Sequence, residues 1–467
     1  MGRPRSAGPS GIRPTARNSP AGVAGARTSS GMPAMLADRR ARHVGAWRVG
    51  GHIGPGHART IEPPVPSTLD DRSYRALLAV PALPRVLIGM QIARIAQQMV
   101  AVAMVLFTLN AFHSPALTGL VTFASGFPGI IAAPIAGALL DRHGRTWLVI
   151  ADYLVACLAI VLIGSLSLGG VLTPALLILI AAFASLTAPL STAGLRSLLP
   201  IMVPQHLWER ANAMDSNGYV VATLIGPALA GFMVQVWGGA IALIAIGVLF
   251  AIAALVLVRI PDPVTRTATT GRILLDAWQG LVYALRNPTL RAIGLSISTL
   301  NLSGGVTTIV LPLIVLNHLH QGEVAVGLLF AVSGVFGIAS AFAFGRMDTT
   351  GREKRMLVLP MAGYAFSLLF FLPLQIAAIA FAMAIGGLLS GPMDIALFTI
   401  RQRRTDPAWM GRAFAVSMYF NFLGFPIGSA LAGLIASQSL ELAILFGVAA
   451  AATAGLVAQL LIPARDD

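Results

Sequence analysis

The sequence predicts an all-α membrane protein of twelve transmembrane helices arranged as two six-helix bundles. Three observations carry this. Apolar residues fill 56% of the 467 positions, and Asp, Glu, Lys and Arg together only 11%, against about 25% charged residues in soluble domains. The basic residues crowd onto alternate connections between apolar runs. The two halves of the chain also repeat one another at a spacing of 202 to 208 residues. A mean hydropathy of +0.79 places most of the chain in lipid. A disulfide scaffold is excluded because Cys157 is the one cysteine. The formal net charge of +14 does not point to nucleic acid. Thirteen of the 32 basic residues precede residue 86, and most others flank apolar segments, where lipid topology accounts for them.

Taken in order, residues 1–70 are rich in Gly, Pro, Ser and Arg and hold no apolar run able to bury a core. They are expected to be a disordered basic tail. The tail is attracted to anionic lipid, is inert, or reflects a start assigned too far upstream; it lacks the apolar core of a signal peptide. Residues 71–80 read as a short amphipathic helix on the membrane surface, ended by Pro81. A spanning helix needs about 20 mostly apolar residues. Such runs lie near 85–109, 115–140, 146–168, 173–195, 211–236 and 239–259, giving a first bundle over 71–259. The long connection 260–289 follows as a cytoplasmic linker. Runs near 290–316, 323–345, 355–373, 376–400, 412–436 and 439–462 form a second bundle over 290–467.

Orientation follows from charge. The connections after spans 2, 4, 6, 8 and 10 hold 17 of the 32 basic residues, Arg142, Arg145, Arg196, Arg401 and Arg404 among them; those after the odd-numbered spans hold none. Basic loops stay on the cytoplasmic side, so both termini are expected there, in a multi-pass protein of the cell membrane.

The repeat is ordered. Leu109, Asn110 and His113 recur as Leu316, Asn317 and His320. Ser125, Gly126, Gly129 and Gly137 recur as Ser333, Gly334, Gly337 and Gly345, and Arg210, Gly226 and Gly231 as Arg412, Gly428 and Gly433. Duplicating six spans preserves orientation, so an axis along the membrane normal relates the two bundles. This layout places a substrate pathway at their interface near mid-membrane.

The strongest local pattern joins spans 2 and 3: Gly137-Ala-Leu-Leu-Asp141-Arg142-His-Gly144-Arg145. Gly137 would let two helices approach closely, and Gly144 would ease the backbone reversal. Asp141 offers a carboxylate to a helix N-terminus or an arginine, a latch made in one state and broken in the other. The counterpart runs from Gly345 through Arg346, Asp348 and Gly351 to Arg352, in a degenerate form. Here the chain resembles the major facilitator superfamily, whose inter-helix signature reads Gly-x-Leu-x-Asp-Arg-x-Gly-Arg. Tyr74-Arg-Ala-Leu-Leu, Arg210-Ala-Asn-Ala-Met-Asp215 and Thr399-Ile-Arg401-Gln402-Arg403-Arg404 lean toward its macrolide-efflux and enterobactin-exporter-like branch. The resemblance covers about residues 72 to 465. It implies the facilitator fold, alternating access of two bundles around a central site, and Asp141, Arg142 and Arg145 as part of a cytoplasmic gate.

Exporters of the superfamily often carry Gly-x-x-x-Gly-Pro-x-x-Gly-Gly in span 5. Here the stretch is Ala222-Thr-Leu-Ile-Gly226-Pro227-Ala-Leu-Ala230-Gly231, with two glycines replaced by alanine. Pro227 would kink the helix and the small residues would seal it against a partner. The resemblance favours export over uptake, and a purely structural kink remains an alternative.

A charge at mid-membrane costs on the order of 2.5–3.5 kcal/mol even on the gentlest scale, so an ionisable residue in a span is near an edge, paired or facing water. Arg94, Asp152 and Asp394 all fall in the cytoplasmic half of their spans. Arg94 paired with Asp152 or Asp394 would line the cavity and couple protons to substrate; the alternative is that the aspartates merely hold the basic loops. Asp215, one turn inside span 5, reads as a helix-start charge. Gln97 and Gln98 stand where many relatives carry an acid, and would hydrogen-bond a polar ligand instead. Asn301, at the repeat position of Arg94, is either a facing ligand group or a packing residue.

Enzyme chemistry is not indicated. No Gly-x-x-x-x-Gly-Lys loop, metal-spaced cluster or nucleophile constellation stands in the sequence. The expectation is a monomeric, proton-driven exporter of a small amphiphilic compound (a drug, siderophore or secondary metabolite), with no cofactor and no nucleic-acid partner. The alternatives are an importer of a sugar, amino acid or other metabolite in the same fold, and a non-transporting membrane sensor.

Overall fold

A computed structural model describes residues 73–260, 273–345, 347, 351–406, 417–418 and 420–463. The expectation for residues 1–70 lies outside them. Within them every regular element is a helix. Eleven helices are long and apolar enough to cross a membrane, and a shorter apolar helix, Phe420–Ala436, takes the place of span 11. Spans 1 to 6 are Leu83–Phe112, Pro115–Gly137, Thr146–Leu168, Pro174–Met202, Arg210–Trp237 and Gly239–Leu257. Spans 7 to 10 are Pro288–His318, Glu323–Phe344, Glu353–Phe371 and Ile376–Arg403, and span 12 is Leu440–Leu461. The amphipathic surface helix is Tyr74–Leu78, capped by Ser73, with Leu77 buried.

Local chemistry sets the helix starts. Ser114, Thr173 and Asn287 each stand before a proline, and each side chain accepts a backbone N–H from the first turn. A polar N-cap satisfies an orphan donor, and proline at the first helical position has no N–H to lose. Spans 2 and 4 are broken midway, at Ser125–Gly126 and Leu186–Thr187, where Pro128 and Pro189 open the second segments.

The connection 260–289 is not a plain linker. It contains a helix, Ile273–Arg286, running to the N-cap of span 7 and contacting the arginine-rich end of span 2. The Tyr283 hydroxyl accepts the Asp406 N–H at 3.1 Å. Arg401 is likewise not a loop residue. It lies in the last turn of span 10 and is wholly buried.

Within the first half, span 1 packs on spans 5 and 6, and span 3 on span 6; in the second, span 7 packs on spans 11 and 12, and span 10 on spans 8 and 9. Large apolar residues such as Leu158, Leu179, Phe183, Phe342 and Leu460 stay exposed along the outer faces, as a lipid-dissolved surface requires. The halves meet chiefly through spans 2 and 11 and through spans 5 and 8.

These cross-half contacts concentrate at the arginine-poor ends. A Cβ placed on Gly119 would lie against the Ser429 carbonyl and 3.0 Å from the Gly433 Cα. Span 5 meets span 8 as closely, with Gly231 against the Glu323 carbonyl and the Gly327 Cα. Asn110 donates to Glu323 at 2.8 Å, and the Val324 N–H to the Gln235 side chain at 2.9 Å. At the arginine-rich end, by contrast, a Cβ on Gly137 would meet nothing within 4 Å. The close approach expected of Gly137 is therefore absent among the described residues.

Candidate functional site

A cavity of about 500 Å³ lies at the seam between the halves. Gln98, Tyr219, Thr223 and Pro227 line it from the first half; Thr308, Phe330, Ser333, Ser390, Asp394 and Phe425 line it from the second. Its wall is mostly apolar, with hydroxyls and an amide interspersed, as small-molecule sites are. Among the described residues that line it, Asp394 is the charged one. Asp394 is exposed to this space and has no hydrogen-bond or ion-pair partner among the described residues. A larger groove of about 610 Å³ lies against Pro128, Leu158, Leu162 and Phe183, but its apolar wall faces lipid.

The Pro227-bearing segment of span 5, a continuous helix from Trp208 to Trp237, forms one side of the seam. Gly226 lies against Gln98 of span 1, Pro227 lines the cavity and Gly231 touches span 8. Gln98 donates to Thr223 at 2.8 Å, so it holds span 5 as well as facing the cavity.

Arg94 pairs with neither Asp152 nor Asp394. Its guanidinium forms an ion pair with Asp215 and donates to the Asp215 backbone carbonyl at 2.8 Å. It also sits 6.0 Å from the Tyr219 ring centroid. Depth in the membrane admitted either expected partner, but span 1 packs against span 5, and that neighbour decided the pair. Asp215 is therefore an ion-pair partner and not only a helix-start charge. Asp152 is buried beside Ser191 and Thr187 of span 4, whose hydroxyls donate to the Ala188 and Ala184 carbonyls. Gln97 is exposed and lines a small polar chamber of about 50 Å³ with Arg94, Tyr153, Ser191, Arg196 and Tyr219.

Asn301 does not face the cavity. Its amide donates to the Asn421 backbone carbonyl at 2.7 Å, tying span 7 to span 11. Arg401 approaches the same turn from span 10. Its guanidinium is 2.9 Å from the Met418 sulfur, and the Asn421 amide oxygen, correctly oriented, accepts from it at 2.6 Å.

In the gate motif, Gly144 closes the helix ending at His143 with φ 90° and ψ 160°, a conformation open essentially to glycine alone. Arg145 donates to Ser197 at 2.9 Å, linking the start of span 3 to span 4. Arg142 and Arg352 are exposed. The Asp141 side chain and Asp348 lie outside what is described. Sequence reasoning missed Thr223, Thr308, Ser333, Ser390 and Phe425 as cavity residues. Their one available signal was a position on kinked or small-residue spans, which does not tell which face turns inward.

Twelve apolar helices in two like halves, with a cavity between them, have the layout of a membrane transporter. The Major Facilitator Superfamily profile matches residues 86–304 and 292–467. The chain belongs to that superfamily. It is 35% identical over 400 residues to the uncharacterized MFS-type transporter y4rN of Sinorhizobium fredii, covering 84% of this chain and 97% of that one. Macrolide efflux protein A of Streptococcus pyogenes is 24% identical over 75% of this chain and 88% of its own length. The multidrug efflux pump Tap of Mycobacterium tuberculosis is 25% identical over 67% of this chain and 77% of its own. In fold, the chain is similar to the nucleoside transporter NupG (TM-score 0.65, 12% identity, 82% of this chain and 98% of that one). It is also similar to a bacterial homologue of the lysosomal transporter Spinster (TM-score 0.64, 15% identity, 83% and 98%).

Proposed function

We propose that the protein exports a small amphiphilic compound from the cytoplasm by alternating access, with inward proton movement as the driving force. The seam cavity carries this reading. Its apolar wall suits a hydrophobic body, and Asp394 with the surrounding hydroxyls suits a polar or cationic end. The efflux proteins among the relatives and the Gly226-Pro227 pair, with Pro227 on the cavity wall, support export. On this reading the basic loops mark the cytoplasmic side, both termini lie there, the arginine-rich face is the open one, and the protein works as a monomer. Bundles over 71–259 and 290–467 would rock about the seam, with 260–289 joining them and Arg142, Arg145 and Arg352 near the closing face.

The test uses everted membrane vesicles with tetraphenylphosphonium and erythromycin as probes. Accumulation of either probe under an inward-acid gradient, lost in Asp394→Asn, supports the proposal. Accumulation only in right-side-out vesicles would identify an importer. If neither orientation accumulates a probe and a deletion strain shows no changed susceptibility, the export reading is wrong.

A further inference from the structure

Asp152 is a carboxylate that the seam cavity does not use. It sits in span 3, buried, and its polar neighbours are Ser191 and Thr187 of span 4, whose hydroxyls donate to their own helix's carbonyls. Among the described residues no cation pairs with it, and Arg94 is held by Asp215. An ionised carboxylate left without a cation inside a membrane is costly, so this arrangement fits a protonated Asp152. Ser191 and Tyr153, on either side of the carboxylate, also line the small polar chamber, and Arg94 stands in its wall. Thr192, Arg196, Gln97 and Tyr219 of the chamber are exposed, so the polar chamber beside Ser191 and Tyr153 is not sealed within the bundle. Tyr219 lines both this chamber and the seam cavity. The ionisable groups around Asp152 are Tyr153 on its own span, Arg94 on span 1, Arg196 on span 4, and Asp215 and Tyr219 on span 5; span 6, packed on the other side, has none.

We infer that Asp152 is the proton-binding residue of the cycle, in a compartment the substrate does not enter, and that Arg94 moves between Asp215 and Asp152 as the proton leaves and returns. This rests on the proton-coupled reading above. In the described state the carboxylate holds its proton and Arg94 clamps span 5 to span 1. Release of the proton to water at the arginine-rich face leaves Asp152 ionised. The carboxylate then draws Arg94 across the chamber, and span 5 is freed to rock against span 8. Protonation from the other face returns the arginine to Asp215. Asp394 meanwhile serves the substrate, so the two carboxylates divide the work between the two halves.

The experiment needs no known substrate. Spin labels at Leu139→Cys, an exposed position on the span 2 helix, and Phe422→Cys, in a Cys157→Ala background in nanodiscs, report the separation of spans 2 and 11 toward the arginine-rich face by pulsed electron resonance. The wild-type distance should change with pH, and Asp152→Asn should hold the acid-form distance at every pH. The same variant in proteoliposomes should lose gradient-driven tetraphenylphosphonium accumulation yet keep its exchange. Asp215→Asn hands Arg94 to Asp152 and favours the charged carboxylate, so its transition should move to more acid pH. A merely structural Asp215 would produce no such displacement. The double variant Arg94→Gln/Asp215→Asn provides a second route should Asp152→Asn fold poorly, since it removes the moving cation without leaving its partner charged and should abolish the pH response. An Asp152→Asn protein that titrates like wild type overturns the inference and leaves proton-driven export intact. A wild type indifferent to pH, with transport indifferent to the gradient, removes the proton coupling itself.

Discussion

The two halves solve one packing problem with different chemistry. In each, a polar side chain at the same repeat position of the first span donates to a backbone carbonyl of the fifth: Arg94 to Asp215 at 2.8 Å, and Asn301 to Asn421 at 2.7 Å. In the first half the contact is reinforced by an ion pair. In the second it is neutral, and the charge has moved to Arg401, buried between spans 10 and 11. The geometry outlived the duplication and the charge did not. A neutral contact is indifferent to protons, whereas a carboxylate–arginine pair responds to any neighbouring acid that competes for the cation. The half with the ion pair is therefore suited to sensing protons, and the half with the neutral contact leaves its carboxylate, Asp394, free to face the cavity.

The sharpest way to break this comparison is to delete the two donors. Arg94 and Asp215 are largely enclosed, and removing one partner of a buried pair costs about 3–5 kcal/mol through the charge left behind. Arg94→Ala should lower the yield of folded protein and abolish export. Asn301→Ala loses one neutral hydrogen bond, about 1 kcal/mol, and should retain most transport. Thermal unfolding and vesicle transport of the two variants decide the matter; equal losses would show that the ion pair is no more than a packing contact.

The two membrane faces offer the next contrast. Gly119→Val would press into the Ser429 carbonyl and Gly433 on the closed face, an overpacking that costs typically about 1–3 kcal/mol. Gly137→Val fills open space and should leave the stability of this conformation unchanged. If Gly137 meets a neighbour when the arginine-rich face closes, the same substitution should slow turnover and favour the open form. Stability and turnover measured together separate these effects, and a normal rate in Gly137→Val would remove that residue from the gate. Gly144→Ala should cost about 1–3 kcal/mol, because its backbone lies where only glycine is comfortable, with no change in pH response.

Most of the scaffold was legible before any coordinates because lipid imposes a one-dimensional signal. Spans announce themselves by lacking charge, and the repeat survives in glycines such as Gly126 and Gly334. The helix Ile273–Arg286 escaped because it lies on a surface between bundles, where neither span length nor repeat marks it. Among the site residues, depth along a span could be counted from its ends, which placed Arg94, Asp152 and Asp394 in one layer. Which way each helix turns could not be counted, so Asp215 was passed over as Arg94's partner and Asn301 was offered to a cavity it does not reach. Pairing across more than a hundred residues depends on rotation about helix axes, which packing sets and hydropathy does not record.

The smallest expected effect tests whether the halves also differ in how they hold their last spans. Arg85 donates to the Val256 and Val258 carbonyls at 3.1 and 2.9 Å, closing the C-terminal end of span 6. The equivalent end of span 12 is closed twice, by Lys354 on Ile462 at 2.7 Å and Arg404 on Pro463 at 2.9 Å. A cation at a helix C-terminus contributes about 0.3–1 kcal/mol. Arg85→Ala should therefore lower thermal stability slightly but measurably, because no second cation covers those carbonyls among the described residues. Lys354→Ala should lower it less, since Arg404 still covers the same end, and only the Lys354→Ala/Arg404→Ala pair should match Arg85→Ala. Equal losses from the two single variants would mean that the second cation adds no protection, and that the two halves fasten their closing spans alike.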